Sequence, residues 1–263
     1  MIVENVTLSG FTGSGTPLRF TLADNYVPPP LSIDYLIVAG GGGGGRGDIG
    51  GGGAGAGGYL TTIGSSKFTP TLGTQYTITI GAGGGYNVNG TNSSAFGLTS
   101  YGGGKGGNGL TGANGGSGGA GAKGVYPGST YIDAPRQGYD GGSAGGYGSG
   151  GGAGGAGSGL TGGPGVSNDI TGTSYTYCSG GPGSNGSTYY SGPPVGALTG
   201  SGNYGDGGSG LYNVGAGNSG NGIVVIRYGD TYPAATTTTG SPNYTVSGGY
   251  RRYVFTSSGS ITF

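Results

Sequence analysis

Histidine and tryptophan are missing altogether, cysteine and methionine occur once each, and only nine basic and nine acidic residues are spread over 263 positions. Each shortage closes a class of function. Without histidine the chain lacks the commonest general base and the commonest transition-metal ligand, so neither enzymatic activity nor a cofactor is expected. A lone Cys178 cannot form an internal disulfide. A net charge of zero leaves no basic surplus to neutralise phosphates, which argues against nucleic-acid binding. There is no like-charge tract or basic amphipathic helix for a membrane surface. No apolar run approaches the roughly 18 residues of a transmembrane helix, so no membrane insertion is expected. The opening "MIVENVTLSG" has neither the basic nor the apolar region of a signal peptide; any life outside a cell is expected to begin with lysis.

Local motifs add little chemistry. The acids are scattered, with no close pair for glycoside hydrolysis and no dense oxygen loop for calcium. Chance G-x-G-x-x-G matches lie outside any β–α–β setting, and "GGGKGG" around Lys105 lacks the Ser/Thr and the helix of a phosphate-binding loop. "RGD" at Arg46–Asp48 reads as a turn between two glycine runs. The sequons at Asn5, Asn89, Asn92, Asn185 and Asn243 carry no meaning without a secretory route.

What the chain does contain is glycine, 77 residues of it, and tyrosine, 21 residues. Between Gly40 and Gly58 bare backbone is nearly continuous. Short β-branched segments predict strands at 5–9, 17–22, 35–39, 59–63, 75–80, 95–101, 223–228, 243–247, 252–256 and 260–263. "QYTITIG" alternates like a half-buried strand, whereas "GIVVIRY" reads as a strand covered on both faces. No apolar stripe of helical period persists anywhere. "PPP" at 28–30 marks an extended joint.

From about 102 to 222 the chain is mostly glycine, serine, asparagine, alanine and isolated tyrosines. Collagen is excluded because the glycine period is broken throughout. Two states remain: a flexible linker, and a bundle of polyglycine II helices with three residues per turn and about 3.1 Å rise per residue. Such helices make no internal hydrogen bonds, so their N–H and C=O groups pair with neighbours that only glycine lets come close. Ordering a glycine costs roughly 0.5–1 kcal/mol more than ordering alanine, so the ordered state requires nearly every backbone group to be paired. Many short passes joined by loops suit the bundle.

The segments "YLIVAGGGGGG", "GGYL", "YTITIGAGGG" and "GNGIVVIRY", with the closing "GGYRRYVFTSSGSITF", resemble the glycine-rich domain widespread in bacteriophage virion proteins. The resemblance covers roughly 33–263. It implies an all-β fold, a small β-sandwich from which a polyglycine II bundle projects, with no α-helix. The expected organisation is an N-terminal β segment over 1–32 that adds strands or attaches to a partner, a glycine-rich domain over 33–230, and a C-terminal β segment over 231–263 packing on the sandwich. The implied role is a non-enzymatic virion surface protein, a tail-fibre tip or adhesin that recognises a bacterial surface glycan or outer-membrane protein. The alternative is a purely structural appendage such as a capsid decoration or neck fibre. Expected partners are other virion proteins of fibre, baseplate or capsid, the expected location is the virion surface after host lysis, and a homotrimer is one oligomeric state open to it. An ice-binding protein is a further reading, against which the irregular tyrosine-rich loops argue.

Tyrosine offers a flat apolar face at low entropy cost and a polar tip, which suits sugar or protein surfaces. The candidate receptor-binding set is therefore Tyr126, Tyr131, Asp133, Arg136, Tyr139, Tyr175, Tyr177, Tyr189 and Tyr190, read as lying in loops of the glycine-rich half. The competing reading is that these tyrosines cap the ends and sides of the bundle.

Overall fold

The computed structural model describes residues 31–48, 50–108, 112–120, 136–143, 147–185, 204–212, 217 and 219–263. The strands expected at 5–9 and 17–22 lie outside the described residues, as do Tyr126, Tyr131, Asp133, Tyr189 and Tyr190. The fold is all-β, and no helix occurs among the described residues.

Fourteen strands follow one another among the described residues: β1 (Asp34–Val38), β2 (Arg46–Gly47), β3 (Tyr59–Thr61), β4 (Gln75–Ile78), β5 (Ser93–Ala95), β6 (Leu98–Ser100), β7 (Val166–Asn168), β8 (Tyr175–Tyr177), β9 (Leu211–Tyr212), β10 (Ile223–Gly229), β11 (Thr237–Thr239), β12 (Asn243–Ser247), β13 (Tyr250–Phe255) and β14 (Gly259–Thr262). A five-stranded antiparallel sheet runs β12-β13-β10-β1-β3, and a three-stranded one runs β11-β14-β4. Strands from 231–263 thus enter both sheets.

Strand β10 is covered on both faces, as its unbroken apolar run predicts. Val224, Ile226 and Tyr228 join Ile37, Tyr253, Phe255, Ile78 and Ile261 in the core between the two sheets. Ile223 and Val225 turn the other way and pack with Leu36, Val38, Ile170, Tyr177 and Cys178. The cross-strand pairs Ile37↔Val224 and Leu36↔Val225 hold the two faces in register, because successive side chains alternate across a strand.

The lid over that second face is the β7–β8 hairpin, whose residues the sequence reads as loop. A second difference is the single strand expected at 95–101. It is a tight hairpin of β5 and β6, turning at Phe96 (φ 56°) and Gly97 (φ 75°). Two consecutive left-handed residues match the twist of a two-residue hairpin; a phenylalanine there gives no warning of the turn. Phe96 holds the position because its ring lies 4.8 Å from Phe68 and 5.3 Å from Tyr76.

The glycine runs have an order of their own. Along Gly40–Gly45 the N–H groups donate at 2.8–3.1 Å to three neighbours in rotation. Gly40 and Gly43 reach the carbonyls of Thr91 and Val88, Gly41 and Gly44 those of Gly220 and Gly217, and Gly42 and Gly45 those of Gly55 and Gly52. The carbonyls of the same run accept in the same rotation: from Gly103 and Gly106, from Gly84 and Asn87, and from Gly208 and Leu211. Every peptide group of the run is paired, with a period of three, to six other stretches of chain. Residues 52–58 repeat the pattern: Gly52, Gly55 and Gly58 donate to Gly107, Gly104 and Tyr101, while Ala54 and Gly57 donate to Gly208 and Gly205. Bare backbone is a steric requirement here, since a β-carbon on Gly43 would overlap the carbonyl oxygen of Gly85.

Some N–H groups of the runs use a short polar side chain as acceptor. In run 102–107, Gly102 donates to Asn92 Oδ1 and Lys105 to Asn89 Oδ1, both at 2.9 Å, again three residues apart. Gly83 uses Asn221 Oδ1 at 2.9 Å and Ala82 uses Thr91 Oγ1 at 2.7 Å. The asparagines of the two sequons at 89 and 92 are therefore parts of the backbone array.

Candidate recognition surface

The register gives the array two ends. Run 40–45 leaves β1 and travels away from the sheets. Runs 82–87, 103–107 and 206–211 travel with it, as their rising partner numbers show, while 52–58, 88–91 and 217–220 return. At the sheet end lie Gly58, which donates to Tyr101, and Tyr59, which donates to Gln137. At the far end lie Arg46, the turn through Tyr86 and Asn87, Asn108 and Leu211.

The far end carries a compact polar–aromatic group. The Arg46 guanidinium sits over the Tyr86 ring, 5.8 Å from its centroid. Arg46 N–H donates to Asn108 Oδ1 at 2.7 Å, and the Asn108 amide nitrogen donates to the Tyr86 hydroxyl. Asn87 takes a left-handed φ of 54°, a conformation that asparagine tolerates, and so reverses the chain between Tyr86 and Val88. Tyr86 is 40% exposed and Val88 55%. The tripeptide at 46–48 is a turn: Arg46–Gly47 pair in parallel with Leu211–Tyr212, Asp48 bridges to Gly50, and Gly50 N–H returns to the Gly47 carbonyl at 3.1 Å.

The receptor-binding candidates that fall among the described residues are elsewhere. Arg136 is exposed and stacks over Tyr139 at 4.6 Å. Neighbouring Gln137 accepts from Tyr101 N–H and donates to the Thr99 carbonyl, so this pair belongs to the sheet end. The six residues of run 40–45 separate it from the far end. Tyr175 and Tyr177 are in strand β8, not in a loop. Tyr175 is half-buried, while Tyr177 is 1% exposed in the core beneath the five-stranded sheet, its ring stacked on Tyr204 at 6.5 Å. Burial pushes the Tyr177 hydroxyl up to about 12. A ring so enclosed presents no surface to a receptor.

Other polar residues near these tyrosines also turn inward. Asn168 is buried, donating to the Tyr59 hydroxyl at 2.7 Å and accepting from Ile170 N–H at 2.8 Å. Asp34, at the start of β1, is buried beside Arg227 at 3.2 Å and Lys67 at 3.5 Å, a structural ion pair at the sheet. No group of metal-ligating side chains occurs among the described residues. A shallow cleft of about 400 Å³ opens where β4 parts from the β5–β6 hairpin, lined by Tyr76, Phe96 and Leu98 among others.

Arg46, Tyr86 and Asn108 are absent from the sequence-derived set because nothing local joins them; the Arg46–Asn108 bond spans 62 positions. One signal was available. Each of the three closes a glycine-rich run, and the end of a run is where side chains can return.

An all-β chain whose interior is partly paired main chain defines a class of glycine-rich proteins. A glycine-rich domain family model matches residues 21–229, and the chain belongs to that family. No curated protein matches it.

Proposed function

We propose that this is a non-enzymatic surface protein of a bacteriophage virion, a tail-fibre tip or adhesin that presents a recognition surface at the far end of a polyglycine II bundle. The three-residue rotation of hydrogen bonds along Gly40–Gly45 carries the reading. It is the pairing expected of helices with three residues per turn packed six around one. Such a bundle is stiff, and turns anchored at its end lose little freedom when they bind. Arg46, Tyr86 and Val88 are on those turns. The sequence-derived candidates, exposed Arg136 and half-buried Tyr139 on the sheet-end flank, form a second cation–aromatic pair within the same proposal.

A structural appendage on the capsid or neck is favoured by one other observation. Strands β11 and β12, each an edge of one of the two sheets, are exposed along their whole length, and open edges pair readily with neighbouring chains. Antibody labelling of intact particles separates the two readings, together with adsorption of the purified chain to bacteria. Label at fibre ends with saturable adsorption is expected. Label on capsid or collar without adsorption selects the structural appendage.

A further inference from the structure

We infer that the Arg46–Tyr86–Asn108 group at the far end of the bundle is a binding site for an acidic saccharide, with the carboxylate of a uronic-acid-type sugar on Arg46 and the sugar ring on Tyr86. The inference rests on the receptor-binding reading above and specifies its ligand.

The guanidinium supplies the first part. Arg46 is exposed, and among the described residues it makes no ion pair. Its position is nonetheless restricted: the backbone is held by Asn108 and by the β2–β9 pairing, and the guanidinium rests on the Tyr86 ring. A planar fork kept in place and left without a carboxylate is suited to receive one through two parallel hydrogen bonds. Tyr86 supplies the second part. The residue is 40% exposed, and its hydroxyl is tied to the Asn108 amide, so the ring is fixed before a ligand arrives. Stacking on a fixed aromatic face suits the C–H face of a pyranose and loses little entropy on binding.

Local charge agrees. Lys105 precedes Asn108 by three residues on the same run, hence on the same side of it at about 9 Å along the axis. Lys105 has no ion pair among the described residues either. Asp48 is the acid next to Arg46 in the chain and is exposed, so it offsets one of these two charges. The remaining excess is cationic on a chain of zero net charge. Val88, 55% exposed, extends the apolar rim beyond the ring.

Binding of the full chain to an oligosaccharide of β-linked glucuronate, compared with its carboxyl-reduced glucose counterpart, tests the assignment. Carboxyl reduction is expected to weaken binding by about tenfold or more, the loss of one charge-assisted bidentate contact. Arg46→Lys keeps the charge and removes the fork, and is expected to weaken the glucuronate complex by a similar factor, as is Tyr86→Ala. Asn108→Asp retains an acceptor for Arg46 N–H, so the turn stays anchored, yet it sets a negative charge beside the ligand and is expected to abolish binding. Amide exchange across 40–45 reports that each variant is folded. Equal affinity for the two oligosaccharides, or unchanged affinity in folded Arg46→Lys and Tyr86→Ala, overturns the inference. So does adsorption to cells that is removed by shaving surface proteins and unaffected by carboxyl reduction of the glycans; in that case receptor binding stands and the acidic sugar falls. Glucuronate binding without adsorption to any host, and with label away from fibre ends, has the opposite meaning: the site stands and the adhesin reading fails.

Discussion

Asp206 is a carboxyl group inside a lattice of backbone. It is 5% exposed, and its Oδ1 accepts Ser179 N–H at 2.7 Å. Burial outweighs that hydrogen bond and raises its pKa to about 7. The buried thiol of Cys178, also pushed upward by burial, is the titrating neighbour. A carboxyl group in the unfolded chain titrates near ~3.9, so the folded state holds this proton more tightly. Its contribution to stability is fully present below about pH 4, falls as pH rises toward about 7, and stays low above that. Asp206→Asn keeps an acceptor for Ser179 and removes the charge. It is expected to be more stable than the parent by about 2–4 kcal/mol at pH 8, the difference vanishing near pH 4. Urea unfolding of both proteins across this range measures it. Parallel pH profiles would show that the carboxyl is hydrated in the folded state.

Glycine at a lattice position and glycine at its margin should respond oppositely to a methyl group. At Gly43 a β-carbon would overlap the Gly85 carbonyl oxygen, and at Gly85 itself a β-carbon meets nothing within 4 Å. Gly43→Ala must therefore move main chain on several sides and is expected to cost about 3 kcal/mol or more, as overpacking against an unyielding neighbour does. Gly85→Ala is expected to be within about 0.5 kcal/mol of the parent, or slightly stabilising through its unfolded state. Chemical denaturation compares them; a similar, small effect at both sites would mean that the runs are further apart than their hydrogen bonds require. Sequence alone ranks these two glycines equally, because each stands in a run of glycines and their difference lies in which strand of chain passes by.

At the scale of elements, the legible parts are those whose signal is local. Strand β10 declares itself by four consecutive apolar residues, Ile223 to Ile226, with Tyr228 beyond Arg227 completing the two-sided pattern. Strand β4 does so by alternation, and the glycine runs by composition. Less legible are the elements whose stability comes from their neighbours. The β7–β8 hairpin is three residues a side and owes its place to Ile170, Tyr177 and Cys178 closing over Leu36 and Val38. The Phe96 turn owes its place to an aromatic cluster drawn from β4 and Phe68. The candidate site at the far end is the extreme case, since its three side chains come from three runs and meet only when the runs are in register.

Asparagine makes the element scale testable. In run 102–107 the N–H groups of Gly103, Gly104, Gly106 and Gly107 go to backbone carbonyls, and those of Gly102 and Lys105 go to the side chains of Asn92 and Asn89. Gly102 is buried, so Asn92→Ala leaves its N–H without an acceptor. The expected cost is about 1–3 kcal/mol, that of an unsatisfied buried donor, and amide exchange at Gly102 should accelerate more than at Gly103, whose N–H is held by the Gly40 carbonyl at 2.9 Å. Uniform acceleration along the run would show that the asparagine anchors the whole run and not one donor.

The whole molecule joins two interiors of different chemistry. Between the sheets the interior is aliphatic and aromatic, built from Ile37, Ile226, Phe255, Ile261 and their neighbours. Beyond the ends of β1 and β10 it is main chain, where buried glycines contribute peptide groups and little apolar surface. Unfolding the first interior exposes apolar area and raises heat capacity by about 0.45 cal/mol/K per Å², whereas unfolding the second exposes polar area and lowers it by about 0.26. The two halves therefore oppose each other in a quantity that is additive over surface. The heat-capacity change of unfolding is expected to fall well below the ordinary ~12–15 cal/mol/K per residue, so the stability curve should be flatter with temperature than that of an oil-cored domain of equal length. Differential scanning calorimetry at several pH values gives the slope of unfolding enthalpy against midpoint temperature. An ordinary value would mean that apolar burial, not paired backbone, supports the glycine-rich half. The stiffness that holds Arg46 and Tyr86 in place at the far end would then need another source.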